Sequence, residues 1–335
     1  MYFQFSAPVR AAKAAAPPCR WMERMKSATA VLLLFGALAW GQAERRTYVF
    51  DTEGRRVPWS ASNTGAGSIA SSIGTLNGRT APVERVEERL ISESGGVKMV
   101  ERLIQRYSAD GAKLPPERHV IESSDLGRGR QTTTTTVYRG DFNGRMALAE
   151  RTTEQSSPTG ATSSTLTVQT ERPTLNGSLE TIERREARLS SSQDKSERDE
   201  TSYIRDANGR FFESARVVER TSKQGANTVK QLDEFESVTS GRLALTKQTV
   251  STTAVSTSGV ETTVSDVYGP AAPGRPMTGQ LQLRERQIVE KSITSNGAVE
   301  IFSVQRPAAD GSGRLAQAVK IAETVCTGKC GSQKP

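Results

Sequence analysis

Histidine and cysteine are nearly absent from this chain, and aromatic residues make up only 5% of it. The single histidine, His119, would need a serine or cysteine and a carboxylate beside it to act in catalysis, and no motif supplies them. We expect a surface histidine on a strand. A metal site needs several thiolate, imidazole or carboxylate ligands, which this chain does not group. The sequence therefore predicts no catalytic residues, no metal site, no cofactor and no enzyme.

A glycine-marked repeat of about 33 residues runs through most of the chain. Several of the marked glycines stand in Asn-Gly or Asp-Gly pairs, which tolerate positive φ at both central positions, as tight two-residue primed hairpin turns require. We expect all of them to form turns. They are Gly78, Gly111, Gly144, Gly177, Gly209, Gly241, Gly279 and Gly313.

A looser series of breakers lies halfway between these turns, as at Gly95-Gly96 and Gly225. The segments between turns are strand-like: Thr132–Val137 is β-branched and polar, which suits a half-solvated pleated surface. Period-two alternation predicts that Leu281, Leu283, Val289 and Ile293 share one face, so that one face is apolar and the other wet.

The predicted fold class is all-β. Eight two-strand repeats give an antiparallel up-and-down meander of about 16 strands, curled into a flattened barrel, a sandwich or a solenoid. The Glu- and Arg-rich stretches 81–107 and 179–189 could alone form amphipathic helices. Because they share the period and turn positions of their neighbours, we expect strands there too.

Residues Met22–Ala43 read as a secretory signal, with a charged start, an apolar stretch and a small-residue exit. The apolar run is too short for a membrane-spanning helix. We therefore divide the chain as 1–21, a start-site artefact; 22–43, a signal peptide; 44–72, an N-terminal strand and flexible linker; 73–325, the β-repeat domain; and 326–335, a C-terminal tail with a short disulfide loop.

Removal of residues 1–43 takes away five basic residues and one acidic residue, so the net charge falls from +8 to +4. The remaining charges recur evenly as Glu-Arg dipeptides rather than as one basic face, which argues against nucleic-acid binding. Neighbouring strand residues point to opposite faces, so each dipeptide splits between faces. We expect the Glu of one repeat to meet the Arg of the next in a structural ladder.

The tail CTGKC holds Cys326 and Cys330, the two cysteines left after residue 43. In an exported protein such a pair predicts a short disulfide that closes the last turn.

One local stretch has a known counterpart. Tyr203–Arg210 and, in part, Asp141–Arg145 carry the Tyr, Asp and Asn-Gly-Arg pattern, and the first resembles the YD (RHS-type) repeats of bacterial surface and toxin proteins. The resemblance covers a few turns, and we carry over no function from it.

An outer-membrane β-barrel fits the strand number, the short turns and the signal peptide. Against it stands the polarity of stretches such as 152–164, which supply neither an apolar residue at every second position nor an aromatic girdle. The chain also ends without a terminal aromatic residue.

The leading prediction is a secreted or periplasmic β-repeat protein with a non-catalytic structural or interaction role. Its partner would be an unknown protein or cell-envelope component, and it would not span a membrane after signal cleavage. The alternatives are an outer-membrane β-barrel and a hydrolase with its site in the insertion Tyr268–Met277, where the repeat interval lengthens.

Overall fold

The computed structural model of the protein describes residues 43–51, 53–64, 69–76, 79–108, 110–238, 242–270, 281–294, 297–308 and 314–327. The predicted start-site artefact, most of the signal peptide and the end of the tail lie outside these residues. So do the marked glycines Gly78, Gly241, Gly279 and Gly313, and Cys330.

The described residues form 18 β-strands and no helix, which confirms the all-β meander. Strands also occupy the Glu- and Arg-rich stretches for which a helix was the alternative. The strands are β1 Ala43–Phe50, β2 Arg56–Thr64, β3 Ile69–Leu76, β4 Arg79–Ser94, β5 Val97–Arg106, β6 Glu117–Gly127, β7 Arg130–Gly140, β8 Met146–Gly160, β9 Ser163–Pro173, β10 Leu179–Ser191, β11 Lys195–Arg205, β12 Phe211–Gln224, β13 Asn227–Ser237, β14 Leu243–Val255, β15 Glu261–Gly269, β16 Gln282–Thr294, β17 Gly297–Gln305 and β18 Val319–Thr327.

The strand number exceeds the predicted 16 because one more hairpin precedes the eight repeats. In the segment 44–72, predicted as a strand and flexible linker, the structure has β1, β2 and the first part of β3. The β1–β2 turn carries its own glycine, Gly54, with φ of 76°.

Each strand pairs antiparallel with its sequence neighbours, and the first strand also pairs with the last. Strand β1 bonds to β2 from Ala43 to Phe50 and to β18 from Glu44 to Val49. The ladder therefore runs through all 18 strands of one sheet and back to its start. Of the three forms predicted for the meander, this closed hydrogen-bond circuit is the barrel.

An up-and-down sheet of this kind has two distinct ends. Connections from odd to even strands, such as 141–145 and 206–210, lie at what we call the marked-glycine end. Connections from even to odd strands, such as 95–96 and 225–226, lie at the opposite end, where β1 begins and β18 stops.

The turns at the marked-glycine end share one backbone design. In the turn 141–145, the Gly144 amide donates to the Asp141 carbonyl and the Asp141 amide donates to the Arg145 carbonyl. Gly144 has φ of 79°, so the turn is a type I turn closed by a left-handed glycine rather than the two-residue primed turn that we expected. Asp141 Oδ1 also accepts from the Asn143 and Arg145 amides.

A β-bulge follows these turns at a fixed distance. The extra residue stands five positions after Gly54 or after one of the marked glycines in seven even-numbered strands, as the registers around it show. At two of them the bulged hydroxyl group satisfies the carbonyl opposite: Ser214 Oγ donates to the Ser202 oxygen and Thr246 Oγ1 to the Glu234 oxygen. The seven are Trp59, Val83, Ala149, Ile182, Ser214, Thr246 and Arg284.

The bulges correct the predicted assignment of faces. Leu283 lies opposite Tyr268, whereas Val289 lies opposite Thr263, and the bulge at Arg284 separates the two registers. Leu283 and Val289 therefore lie on different faces of the sheet, although plain alternation placed them together. One extra residue moves every side chain beyond it to the other face.

The sheet has a thin apolar core. Six hydrophobic side chains are buried among the described residues, and none of the described side chains is less than 2% exposed. Burial of apolar area is therefore a small contributor here compared with a packed domain of similar length. The six are Val100, Ile104, Val137, Val168, Ala187 and Val218.

Substitution of Gly144 tests the turn design. A Cβ at this position meets no atom within 4 Å, so the Gly144→Ala change adds only backbone strain at positive φ. We expect the free energy of unfolding to fall by about 1–2 kcal/mol for alanine and by less for Gly144→Asn, because asparagine tolerates left-handed φ. Urea unfolding followed by circular dichroism measures both. Equal losses would show that the strain argument is wrong.

A designed cross-link tests closure. The Thr47 and Thr324 hydroxyl oxygens lie 3.3 Å apart across the β1–β18 seam. We expect Thr47→Cys with Thr324→Cys to form a disulfide on mild oxidation, identified as a cross-linked peptide by mass spectrometry. The control pair, Thr47→Cys with Thr253→Cys, joins strands that are not neighbours and should stay reduced. A cross-link in the control alone would contradict the closed register.

Candidate functional site: the wall of the closed sheet

The wall has two faces, which the strand registers define through every hairpin. We call one the Val137 face, since it contains Val137, Glu150 and Val168. The other is the Tyr138 face, with Tyr138, Leu148 and Arg151. Five of the six buried hydrophobic residues lie on the Val137 face, and Val218 lies on the Tyr138 face.

The two residues of every Glu-Arg dipeptide lie on opposite faces, and the order is the same in all of them. In each of the six, the glutamate lies on the Val137 face and the arginine on the Tyr138 face. The predicted ladder is therefore wrong in its partners, because the Glu of one dipeptide and the Arg of the next lie on opposite sides of the wall. The six are Glu84-Arg85, Glu117-Arg118, Glu150-Arg151, Glu183-Arg184, Glu219-Arg220 and Glu285-Arg286.

Each face instead builds ion pairs from other residues. On the Val137 face, the Arg102 guanidinium donates to Glu88, with Nη2 to Oε2 at 2.7 Å, and Lys230 Nζ lies 2.9 Å from Glu219 Oε2. Hydroxyl pairs join strands on the same face, as between Ser251 Oγ and Ser265 Oγ at 2.8 Å. The expectation of one apolar and one wet face is therefore wrong, because this face is also polar.

On the Tyr138 face the ion pairs include two bidentate ones. Arg286 donates through Nε and Nη2 to the two oxygens of Asp266 at 2.6 and 2.9 Å. Arg216 likewise donates through Nε and Nη2 to the two oxygens of Asp199, at 2.8 and 2.6 Å. Forked pairs of this kind fix both partners in one geometry, so they hold adjacent strands in register.

The most buried polar group of this face is Asp233, which is 6% exposed. Its carboxylate accepts from Arg220 Nη1 at 3.2 Å, from Gln231 Nε2 at 2.9 Å and from Gln248 Nε2 at 2.8 Å. Arg220 also contacts Glu197, at 3.2 Å from Nε. The sequence did not predict this network, because the alternation of side chains between the two faces does not show which carboxylate the side chains of adjacent strands will bury.

The predicted site residues are spread over the sheet rather than brought together. His119 lies on β6 with 19% of its side chain exposed, and its Nε2 is 2.8 Å from Glu117 Oε1. Glu117 also accepts from Arg106, so the histidine belongs to an ion-pair group of the wall. Neither a serine nor a cysteine is bonded to it in the described contacts.

The other predicted positions lie at the ends of the sheet. Gly111, Gly144, Gly177 and Gly209 occupy turns of the marked-glycine end with φ from 77° to 85°. Cys326 lies on β18 and is disulfide-bonded. Of the insertion 268–277, Tyr268 and Gly269 end β15, and residues 271–277 lie outside the described part.

The described residues include no helix that is long and apolar enough to cross a membrane. They also include no group of three or more histidine, cysteine, aspartate or glutamate residues placed to hold a metal ion.

No protein-family model matches the chain, and no curated protein matches it in sequence. Among the solved structures that resemble it are the following two. One is Salmonella typhi OmpF in complex with daunomycin, at 9% identity and a TM-score of 0.45, covering 86% of this chain and 96% of the other. The second is the anion-selective porin from Comamonas acidovorans, at 10% identity and a TM-score of 0.45, covering 86% and 99%. At these identities the likeness concerns the fold alone.

Two predictions are corrected. The secreted or periplasmic β-repeat protein with a structural role is wrong, as is the prediction that the mature chain does not span a membrane, since the closed ladder of 18 strands has the strand number and the paired edges of a membrane-spanning barrel. The physical reason lies in the closed ladder: the objection to a barrel weighed polarity along single strands and did not use the closure that removes the sheet edges. The alternative, an outer-membrane β-barrel, is the better supported of the two.

The Asp233 network makes a quantitative prediction about the wall. Arg220 bonds both Asp233, which is buried, and Glu197, which is exposed. We therefore expect its contact with Asp233 to stabilise the fold more than its contact with Glu197. We expect Asp233→Ala to lower the free energy of unfolding by about 2 kcal/mol and Glu197→Ala by about 0–1 kcal/mol. Urea midpoints of the two variants give the comparison. Equal midpoints would mean that burial does not strengthen the Asp233 contacts.

Proposed function

We propose that this chain forms an outer-membrane β-barrel whose lumen is an aqueous, non-catalytic channel for small hydrophilic solutes. The observation that supports it most directly is the closure of 18 strands through the β1–β18 seam. Barrels of 16 to 18 strands are wide enough to leave a water-filled passage, whereas eight-stranded barrels fill with side chains.

Closure also meets the main demand of a bilayer on a β-structure. No water is available in the hydrocarbon region to bond free backbone groups, so a spanning sheet must pair every edge. Each of the 18 strands has two hydrogen-bonded neighbours. An open meander with the same strands would leave one edge of β1 and one edge of β18 unpaired.

The two ends of the sheet differ as the ends of outer-membrane barrels do. The connections 107–116, 270–281 and 306–318 at the marked-glycine end are long, whereas 95–96, 161–162 and 225–226 at the opposite end have two residues each. Such barrels have short periplasmic turns and longer extracellular loops. The proposal therefore places the marked-glycine end outside the cell.

The export signal predicted at Met22–Ala43 agrees with a location in the cell envelope. A non-catalytic role agrees with the contacts of His119 and of the carboxylates described above, which are bonded within the wall. Bilayer lipids and permeating solutes take the place of the protein partner first expected.

Reconstitution tests the proposal. The full chain is refolded into liposomes and planar bilayers, and single-channel current and osmotic swelling in small sugars are measured. We expect stepwise conductance and swelling. A chain that stays soluble, or that inserts without any conductance, would contradict the channel.

A matched pair of variants links conductance to closure. Thr47→Pro removes a backbone donor from β1, which bonds on both sides, and should abolish conductance. Thr47→Val keeps the donor and the β-branched shape and should conduct as the unchanged chain does. Full conductance by the proline variant would show that the seam is not needed.

A further inference from the structure

The aromatic residues of the sheet are confined to one of its ends. Each one after residue 43 lies in a turn of the marked-glycine end or in the half of a strand next to it, and all are among the described residues. The half of the wall next to the opposite end has none among the described residues. The residues are Tyr48, Phe50, Trp59, Tyr107, Tyr138, Phe142, Tyr203, Phe211, Phe212, Phe235, Tyr268 and Phe302.

These rings also favour one face. Phe212 and Phe302 lie on the Val137 face, Trp59 is a bulge residue and Phe142 lies in a turn. The other eight lie on the Tyr138 face, and we call them the aromatic belt. They are Tyr48, Phe50, Tyr107, Tyr138, Tyr203, Phe211, Phe235 and Tyr268.

Cationic side chains cover three rings of the belt. The Arg56 guanidinium carbon lies 3.7 Å from the centre of the Tyr48 ring. Lys320 Nζ lies 4.6 Å from the Phe50 ring, and Arg118 lies 5.6 Å from the Tyr138 ring. A layer of amphipathic rings with guanidinium and ammonium groups over them matches the chemistry of a lipid headgroup region.

We propose that the aromatic belt contacts the headgroup region of the bilayer, so that the Tyr138 face is turned to lipid and the Val137 face lines the lumen. This inference rests on the proposed barrel and deepens it by assigning the two faces. Tyrosine gathers at membrane–water interfaces because its ring is apolar and its hydroxyl group remains hydrated.

The distribution of the belt favours lipid over a bound solute. Its members come from β1, β7, β11, β12, β13 and β15 and from Tyr107, directly after β5, and these positions are distributed around the closed ladder. A site for one solute would gather its rings on neighbouring strands. Rings at one height around the wall instead match a surface that surrounds the barrel, which is the bilayer.

Stretches such as 152–164 supply no aromatic residue, as expected, and the belt lies at other positions of the repeat. Tyr48, Tyr138, Tyr203 and Phe235 each stand six residues before a glycine in the sequence: Gly54, Gly144, Gly209 and Gly241, respectively. The rings are therefore about one to three repeats apart in sequence and appear isolated. Antiparallel pairing brings these repeated positions to the same height.

Two single-tryptophan chains test the face assignment at matched height. In the full chain, Trp21, Trp40 and Trp59 are changed to phenylalanine, and one tryptophan is introduced by Tyr203→Trp or by Phe302→Trp. Both positions lie near the marked-glycine end, on opposite faces. The probe is a vesicle of phosphatidylcholine brominated near the headgroup, and the readout is loss of tryptophan emission.

We expect the Tyr203→Trp chain to lose several times more emission than the Phe302→Trp chain. The reverse order would overturn the assignment, because it would turn the Val137 face to lipid. Conductance is measured on the same vesicles, which separates the two proposals. Conducting vesicles with no quenching at either position would overturn the belt and leave the channel standing, whereas vesicles with neither conductance nor quenching would overturn both.

Discussion

Backbone hydrogen bonds between neighbouring strands are the interaction on which this structure depends. A packed domain of similar length would rely on a buried apolar core, but here six hydrophobic side chains are buried among the described residues. With so little apolar burial, an unpaired strand edge would be costly and would invite association with other chains. The pairing of β1 with β18 removes both edges at once.

The bulges five residues after Gly54 and after six of the marked glycines are the second constraint. A bulge bends its strand and increases the local twist, and a sheet must bend to meet its own first strand. Repetition at seven positions spreads this curvature around the sheet. The Ser214 and Thr246 hydroxyl groups show that a bulged residue can also satisfy the carbonyl that the disrupted ladder leaves open.

Most of what the sequence predicted about the fold came from the residues of the turns. The glycine period of about 33 residues gave the meander and the antiparallel order, because glycine at positive φ has a direct sequence signature. A bulge has no residue-type signature, since Ala149, Ser214 and Arg284 share no chemistry, and what marks it is its fixed distance from the preceding glycine. The faces assigned to Leu283 and Val289 were wrong for this reason.

The candidate site was harder to predict than the fold. Closure depends on whether β1 and β18 pair, and no residue pattern in either strand predicts that pairing. The aromatic belt could have been found by measuring distances from the turn glycines, since Tyr48, Tyr138 and Tyr203 share one offset. The burial of Asp233 could not, because it depends on Gln231, Arg220 and Gln248 from three adjacent strands.

The ion pairs of the wall depend both on the closure of the sheet and on the register that the bulges set. A charged side chain that meets lipid is tolerated best with a partner at the same depth, since a lone arginine at the midplane of a bilayer costs about 2–4 kcal/mol. Arg118, Arg216 and Arg286 on the Tyr138 face each bond a carboxylate of an adjacent strand. Those contacts exist only in the observed register, because a slip of one residue would turn each arginine to the other face. The hydrogen bonds that close the sheet and the bulges that set its register therefore also keep its charges paired.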